Sequence, residues 1–325
     1  MVDADLARLS DTLFWVALVV YAASMALFFG HLGFRARRVG MLATLLAWGG
    51  AIVHAISVTA RGLAAGRVPW GNMFEYSSLI GLLLVLTYLL VIDRRLGLRQ
   101  VGGFAMGAGV LALASARFVY VPAGPLQPAL NSYWLKIHVF AAITGSTLFG
   151  ISFIFTVLHL MKARAQRRAG SVFAGSTVGA AYVGQSTERS TGEEGMPADH
   201  VSPDAPAAGS DTRVAGIMAR LPVADRLDGL AHSTIKVAFL IWTFAVLAGA
   251  VWAHEAWGRY WGWDPKETWA FVTWVIYAGY LHARATAGWK ARRAAVISMI
   301  GFAAVLFTYF AVNLWIAGLH SYKNG

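Results

Sequence analysis

The chain has 325 residues, of which 58% are hydrophobic and 13% are charged, and its formal net charge is +11. An average soluble domain has roughly 25% charged residues, so this composition excludes an ordinary soluble enzyme, a disordered chain and a disulfide scaffold. The absence of Cys from the sequence also excludes a disulfide, a thiolate metal ligand and a thiol relay within this chain.

Eight apolar runs of sufficient length to cross a bilayer predict an all-α polytopic membrane protein. The first run follows three Asp residues and precedes three Arg residues, which is the opposite polarity to a secretory signal. Clusters of Arg or Lys follow every odd-numbered run, and such residues favour cytoplasmic loops. We therefore expect about eight transmembrane helices with both termini extracytoplasmic. The runs lie near 13–32, 39–60, 75–92, 103–118, 137–161, 234–254, 268–286 and 294–317.

A polar stretch at 162–233 separates the first five runs from the last three. Its middle is rich in Gly, Ala, Ser, Thr and Glu, which is typical of a flexible, largely disordered linker on the cytoplasmic side. Its end, near 220–232, is amphipathic and compatible with a short helix on the membrane surface. The predicted organisation is a five-helix membrane half at 1–161, this linker, and a three-helix membrane half at 234–325.

Six of the 13 Trp residues lie between 252 and 274, around the segment that joins the sixth and seventh runs. Trp favours membrane interfaces, but this density exceeds that of an aromatic belt and predicts a rigid platform for a large planar ligand. We call residues 252–269 the Trp loop. Asp264 and Glu267 have the spacing of a helical capping box, so their first expected role is structural. Glu75, near the start of the third run, could cap a helix or line a cavity.

The nine His residues include three candidate metal ligands. His138 and His320 lie at the outer ends of the fifth and eighth runs, on the same predicted face as the Trp loop, whereas His282 lies at the inner end of the seventh. Two facing imidazoles can bind a haem iron, and aromatic rings can hold the porphyrin, so these residues favour haem binding on the external face. His54, deep in the second run, is more typical of a hydrogen bond to a neighbouring helix.

The segment WGRYWGWDPKETW at 257–269 closely resembles the WWD motif of the haem-handling protein family. The segments WLKIHV, YLHAR and GLHSY resemble its CcsA (ResC) branch, the System II cytochrome c synthetases. The similarity covers the membrane part and is strongest over 234–325. It implies a haem lyase component that exports haem b, holds it non-covalently, and attaches it to the CXXCH motif of an apocytochrome c on the extracytoplasmic side.

The resemblance also implies roles for individual residues. His138 and His320 would bind the external haem iron, and His282 would bind a transmembrane haem together with a His of a CcsB (ResB)-like partner. No residue would need to act as an acid or a base. The residues expected to contact the porphyrin are Trp257, Trp261, Trp263, Asp264 and Trp269.

The implied setting is a bacterial plasma membrane, with apocytochrome c and thiol-reducing proteins as further partners and no nucleic acid. Arg259 and Lys266 could pair with the haem carboxylates or stay solvated. Three other functions are compatible with the residues: a haem-carrying electron-transfer subunit, a System I haem delivery protein, and a transporter of another amphipathic solute. The electron-transfer subunit usually holds paired His within helices, and the transporter usually has internal repeats and broken helices.

Overall fold

The computed structural model describes residues 2–125, 130–187 and 216–316, and it describes side chains for these residues except 169–187 and Ala291. Within these ranges the chain consists of helices and the loops that join them, and it contains no strand. The third helix ends in a π-helical turn, Tyr88–Asp93. The eight long helices are α1 (Ala4–Phe34), α2 (Arg37–Ala65), α3 (Met73–Thr87), α4 (Gly102–Phe118), α5 (Tyr133–Thr187), α6 (Ala224–Trp257), α7 (Pro265–Thr286) and α8 (Ala291–Leu314).

All eight predicted helices are present, but in the described part of the chain seven are long and apolar enough to cross a membrane. The one that falls short is α7, which we predicted as the seventh span. Its first turn carries Lys266 and Glu267 and its last turns carry His282 and Arg284, so its uncharged stretch is confined to 268–281. The chain is a multi-pass membrane protein, and the orientation of its termini stays a prediction.

The helices pack as two groups of four. In the first group α1 packs along α2, and α4 packs against both α1 and α3. In the second group α5 packs most extensively against α6, and α7 packs against α6 and α8. Helix α3 also contacts α5 and so connects the groups. Helix α4 makes few contacts with α5. The two groups are therefore separated on this side, and a cavity lies between them.

The stretch near 220–232, for which the sequence is compatible with an interfacial helix, forms the approach to α6 and its first turns. Leu221 and Leu227 are buried in the core beside α1, α4 and α5. The Arg220 guanidinium donates to the carbonyls of Leu32 and Gly33 at the end of α1. Apolar burial and these hydrogen bonds fix the described end of the linker to the helix bundle.

His54 makes hydrogen bonds with both of its ring nitrogens. The side chain is fully buried on α2, its Nε2 lies 2.9 Å from the Ser78 hydroxyl of α3, and its Nδ1 lies 3.3 Å from the Tyr21 hydroxyl of α1. A His needs one free nitrogen to bind a metal. The geometry therefore agrees with a structural His that joins three helices.

A buried ion-pair cluster holds together the loops at the Trp-loop end of the first group. The Glu75 carboxylate accepts from Arg61 Nε at 3.0 Å and from Arg67 Nη1 at 2.7 Å. It also accepts from the backbone N–H of Gly71 at 2.8 Å. Arg61 donates in addition to the Val121 carbonyl, which lies beyond α4. Glu75 thereby ties the end of α2 and the α2–α3 loop to the start of α3.

We expect Glu75→Ala to lower the free energy of unfolding by about 3–5 kcal/mol, because it leaves the buried Arg61 and Arg67 guanidinium groups without a counter-ion. Thermal unfolding of the detergent-purified protein would measure this loss. The control is Asp5→Ala, which breaks an ion pair with Arg8 whose side chains are 89% and 79% exposed. A Glu75→Ala protein that melts together with the Asp5→Ala protein would contradict the structural role of Glu75.

Candidate functional site

A cavity of about 1900 Å³ lies between the two groups of helices. It is larger than the roughly 300–1,000 Å³ of typical small-molecule sites, so it has room for a macrocycle. Helices α3 and α4 line one side, and α5, α6 and α8 line the other. Its residues at the Trp-loop end include His138, Trp252, Tyr260 and Trp261, with Trp70 from the α2–α3 loop.

The His138 imidazole is held on α6 by one short hydrogen bond. Its Nδ1 lies 2.7 Å from the carbonyl oxygen of Ala245. A carbonyl oxygen can only accept, so Nδ1 carries the proton and Nε2 keeps its lone pair. The Trp252 ring lies nearly parallel to the imidazole, with the ring centres 6.4 Å apart. His138 therefore offers one defined nitrogen as a ligand in an aromatic environment.

Gly249 makes this position of the imidazole available. It lies one helical turn after Ala245, and a Cβ atom at Gly249 would be 2.7 Å from His138 Nδ1 and 2.8 Å from Cε1. Such a contact is far too short for a real side chain. The absence of a side chain at Gly249 is what allows His138 to reach the Ala245 carbonyl.

The Trp loop is fixed by hydrogen bonds to its own backbone. Helix α6 ends at Trp257 and is followed by Gly258, which has φ +72, and the chain then passes through Trp263, which has φ +56. That conformation costs a non-glycine residue about 1–2 kcal/mol. The Glu267 carboxylate accepts from the N–H groups of Gly262 and Asp264 at 2.8 and 3.1 Å. The predicted capping box of Asp264 and Glu267 is confirmed.

The predicted Trp platform is divided among three places. Trp261 lines the cavity, and its ring makes an edge contact with Trp263, which is 66% exposed. Trp257 makes an edge contact with Trp252, at 4.8 Å between ring centres. Trp269 packs against Phe307 of α8, at 4.1 Å. Among the described residues, Trp257, Trp263 and Trp269 support neighbouring rings and do not belong to the cavity lining.

Of the other two predicted His ligands, the structure describes only His282. His320 lies outside the described residues, so its place stays a prediction. His282 is exposed near the other end of α7, beside Arg284, whose guanidinium pairs with Asp228 of α6 at 2.9 Å. Phe271 and Val275 are also exposed and precede His282 on α7 at helical spacing, so the three share one face of the helix.

Three residues of the site were not predicted as such. Trp70 and Tyr260 line the cavity, and Gly249 accommodates His138. Trp70 begins the segment WGNMFE at 70–75. A Trp followed by Gly and an acidic residue also occurs in the Trp loop, and this likeness is the signal that could have indicated a second aromatic residue of the site. Gly249 gives no such signal, because Gly is common among apolar helices and only the facing residue makes it necessary.

Comparison with known proteins identifies the family. Residues 70–320 match the model of the cytochrome C assembly protein family. The chain belongs to this family. A cytochrome c biogenesis protein CcsA of Gloeobacter violaceus is 36% identical over 308 residues, or 88% of each chain. A CcsA of Porphyra purpurea is 33% identical over 311 residues, which is 94% of this chain and 92% of that one.

A solved structure of the cytochrome c heme lyase CcmF has a similar fold. The TM-score is 0.63 at 17% sequence identity, and the match covers 94% of this chain. This chain spans a little under half of CcmF, at 46% of its length. Family membership shows that the chain is a membrane protein of cytochrome c assembly, and the similarity to CcmF shows the fold.

We expect Gly249→Ala to weaken haem binding about 10- to 100-fold, which is typical when a residue that orients a metal ligand is changed. The new methyl group displaces the imidazole and breaks its bond to Ala245. Titration of the purified protein with haem, followed by absorbance, would measure the affinity and show the altered ligation. Gly229→Ala on the same helix is the control, since nothing lies within 4 Å of a Cβ there. Equal affinities and spectra in both variants would refute the role of Gly249.

Proposed function

We propose that this chain binds haem b in the cavity at the Trp-loop end and presents it to an apocytochrome c on the extracytoplasmic side. The observation that carries the proposal is His138, whose Nδ1 is bound to Ala245 while the imidazole lines the cavity. The lone pair on Nε2 fits an iron, and the rings of Trp252 and Trp261 fit a porphyrin. The large volume fits the macrocycle.

The chemistry at this site is the addition of two thiols to two vinyl groups. Each Cys sulfur of the CXXCH motif bonds to one vinyl carbon, the thiol hydrogen goes to the other carbon, and the C=C π bond is lost. The addition is redox neutral and has no leaving group, but both Cys must arrive as thiols. Thiol-reducing partner proteins would therefore keep the two Cys of the apocytochrome c reduced until the addition occurs.

The chain contributes position rather than proton transfer. Holding each vinyl group near a thiol makes the addition effectively unimolecular, which is worth about 7–11 kcal/mol in favourable cases. His138 fixes the porphyrin through its iron, and the hydrogen-bonded Trp loop limits its movement. In this proposal His320 supplies the second external ligand, and the His of the CXXCH motif displaces one of the two as the product forms.

His282 is proposed as the ligand of a second, transmembrane haem. Its exposure on one face of α7 with Phe271 and Val275 supports a second ligand from another protein, since a residue on an outer face can meet a partner helix. A CcsB (ResB)-like membrane protein is the partner proposed. The setting proposed is a bacterial plasma membrane.

The electron-transfer alternative is less well supported by the geometry. Such subunits bind haem with His residues inside their helical bundle. One buried His of this bundle, His54, has both nitrogens in hydrogen bonds to Tyr21 and Ser78. His138 lies instead at the cavity, beside residues of the Trp loop such as Trp252 and Trp261.

The proposal is tested by covalent attachment of haem to a CXXCH-containing reporter in cells that express this chain with its partner. We expect His138→Ala to reduce attached haem at least about 10-fold. Changing a residue that only orients a metal ligand already lowers metal affinity or activity about 10- to 100-fold, and this variant removes the ligand itself. Added imidazole should restore part of the activity, because it replaces the missing ligand.

The control is His31→Ala, since His31 binds the Ala36 carbonyl at the far end of α1. This variant should keep its attached haem and should not respond to imidazole. If the His138→Ala protein attaches haem as well as the wild type, His138 does not present the haem and the proposal fails.

A further inference from the structure

Lys266 lies in the first turn of α7, between the cap Asp264 and the apolar stretch that begins at 268. Its backbone N–H donates to the Asp264 carboxylate at 3.0 Å, which fixes the start of the helix. Lys266 is also one of the residues that line the cavity. It is close enough to His138 for its charge to act on the imidazole. The positive charge of Lys266 therefore acts at the same end of the cavity as the proposed iron ligand.

The Lys266 charge is poorly compensated. Burial lowers the pKa of Lys266 from 10.5 to about 8, and the charge of Asp264 offsets only part of this effect. Both nearby carboxylates have other partners, because Asp264 caps the helix and Glu267 accepts from two backbone N–H groups. Across the described residues, the ammonium of Lys266 has neither a hydrogen bond nor an ion pair. A half-buried cation that lines a cavity and has no bound carboxylate favours an anionic ligand.

The other cations near the cavity are not in this situation. Arg67 is bound by Glu75 and by the carbonyls of Val68 and Gly124. Lys136 lines the cavity but is exposed to solvent.

Arg259, which the sequence offers as an equal candidate, is exposed and absent from the described lining. Its guanidinium lies so close to Gly262 that a Cβ there would overlap it. The sequence offers Lys266 and Arg259 equally as partners for a haem carboxylate, and the structure favours Lys266 because it alone of the two lines the cavity.

We propose that the Lys266 ammonium pairs with a propionate carboxylate of the bound porphyrin. This inference rests on the proposed function and adds an orientation to it. The two propionates of haem b share one edge of the macrocycle, and the vinyl groups lie on the other side. With the propionate edge at the start of α7, the vinyl groups point away from α7, where an incoming peptide can reach them.

The test compares two ligands in two variants of the full-length, detergent-purified protein. One ligand is haem, and the other is its dimethyl ester, which has no carboxylate charge but the same iron and ring. We expect Lys266→Met to weaken haem binding about 10-fold or more, as for the loss of a charged hydrogen bond. It should change the affinity for the ester by less than about twofold. Arg259→Met is the control and should change neither affinity, and Lys266→Arg should restore haem binding.

Each other outcome has a distinct meaning. An equal loss for haem and for the ester would show that Lys266 only shapes the cavity, and it would overturn the inference. Unchanged haem binding in Lys266→Met would place the propionates elsewhere and overturn it as well. Both results would leave the proposed function intact. A wild-type protein that binds neither ligand would overturn the proposed function and this inference together.

Discussion

The hydrogen bond between His138 Nδ1 and the Ala245 carbonyl is the constraint on which the site depends. It sets the tautomer, the rotation of the imidazole and the distance between α5 and α6 at this level. A backbone carbonyl in the middle of a helix normally accepts a hydrogen bond from its own helix. The His138 ring must therefore come close to the backbone of α6 to reach the Ala245 carbonyl as a second donor. Gly249 permits that approach, and Trp252 then packs beside the ring. A ligand nitrogen held in this way needs no rearrangement to bind a metal.

Two polar anchors keep the Trp-loop end rigid while the cavity between the helix groups stays open. Glu75 joins the loops of the first group, and Glu267 holds the Trp loop of the second. Each carboxylate has its hydrogen bonds satisfied by the protein itself. The rim of the cavity is therefore fixed from both sides, and Lys266 is left as a half-buried charge that a ligand can neutralise.

Features that depend on neighbouring residues could be predicted from the sequence. The eight helices follow from apolar runs, and the start of α7 follows from Asp264, Pro265 and Glu267, which lie next to one another. The sequence predicts α7 as a span from its central aromatic and aliphatic residues. Charged residues at both of its ends lower its mean hydropathy, and α7 is not among the helices that are apolar enough to cross a membrane.

Features that depend on facing helices could not be predicted. His54 and His138 look alike in sequence, since each is a single His in an apolar helix. The difference is that His54 meets the hydroxyls of Ser78 and Tyr21, whereas His138 meets one carbonyl 107 residues away and a cavity. The same limit applies to the Trp residues. Their density predicted a platform, but only packing decides that Trp252 and Trp261 line the cavity while Trp269 packs on α8.

The most direct test of the account is an experimental structure of the protein with haem bound. We expect density for the iron at His138 Nε2, with an iron–nitrogen bond of about 2 Å, a length typical of metal–imidazole bonds, and Nδ1 still bound to the Ala245 carbonyl. A haem whose iron is bound by other residues, with His138 free or turned away from Ala245, would contradict it.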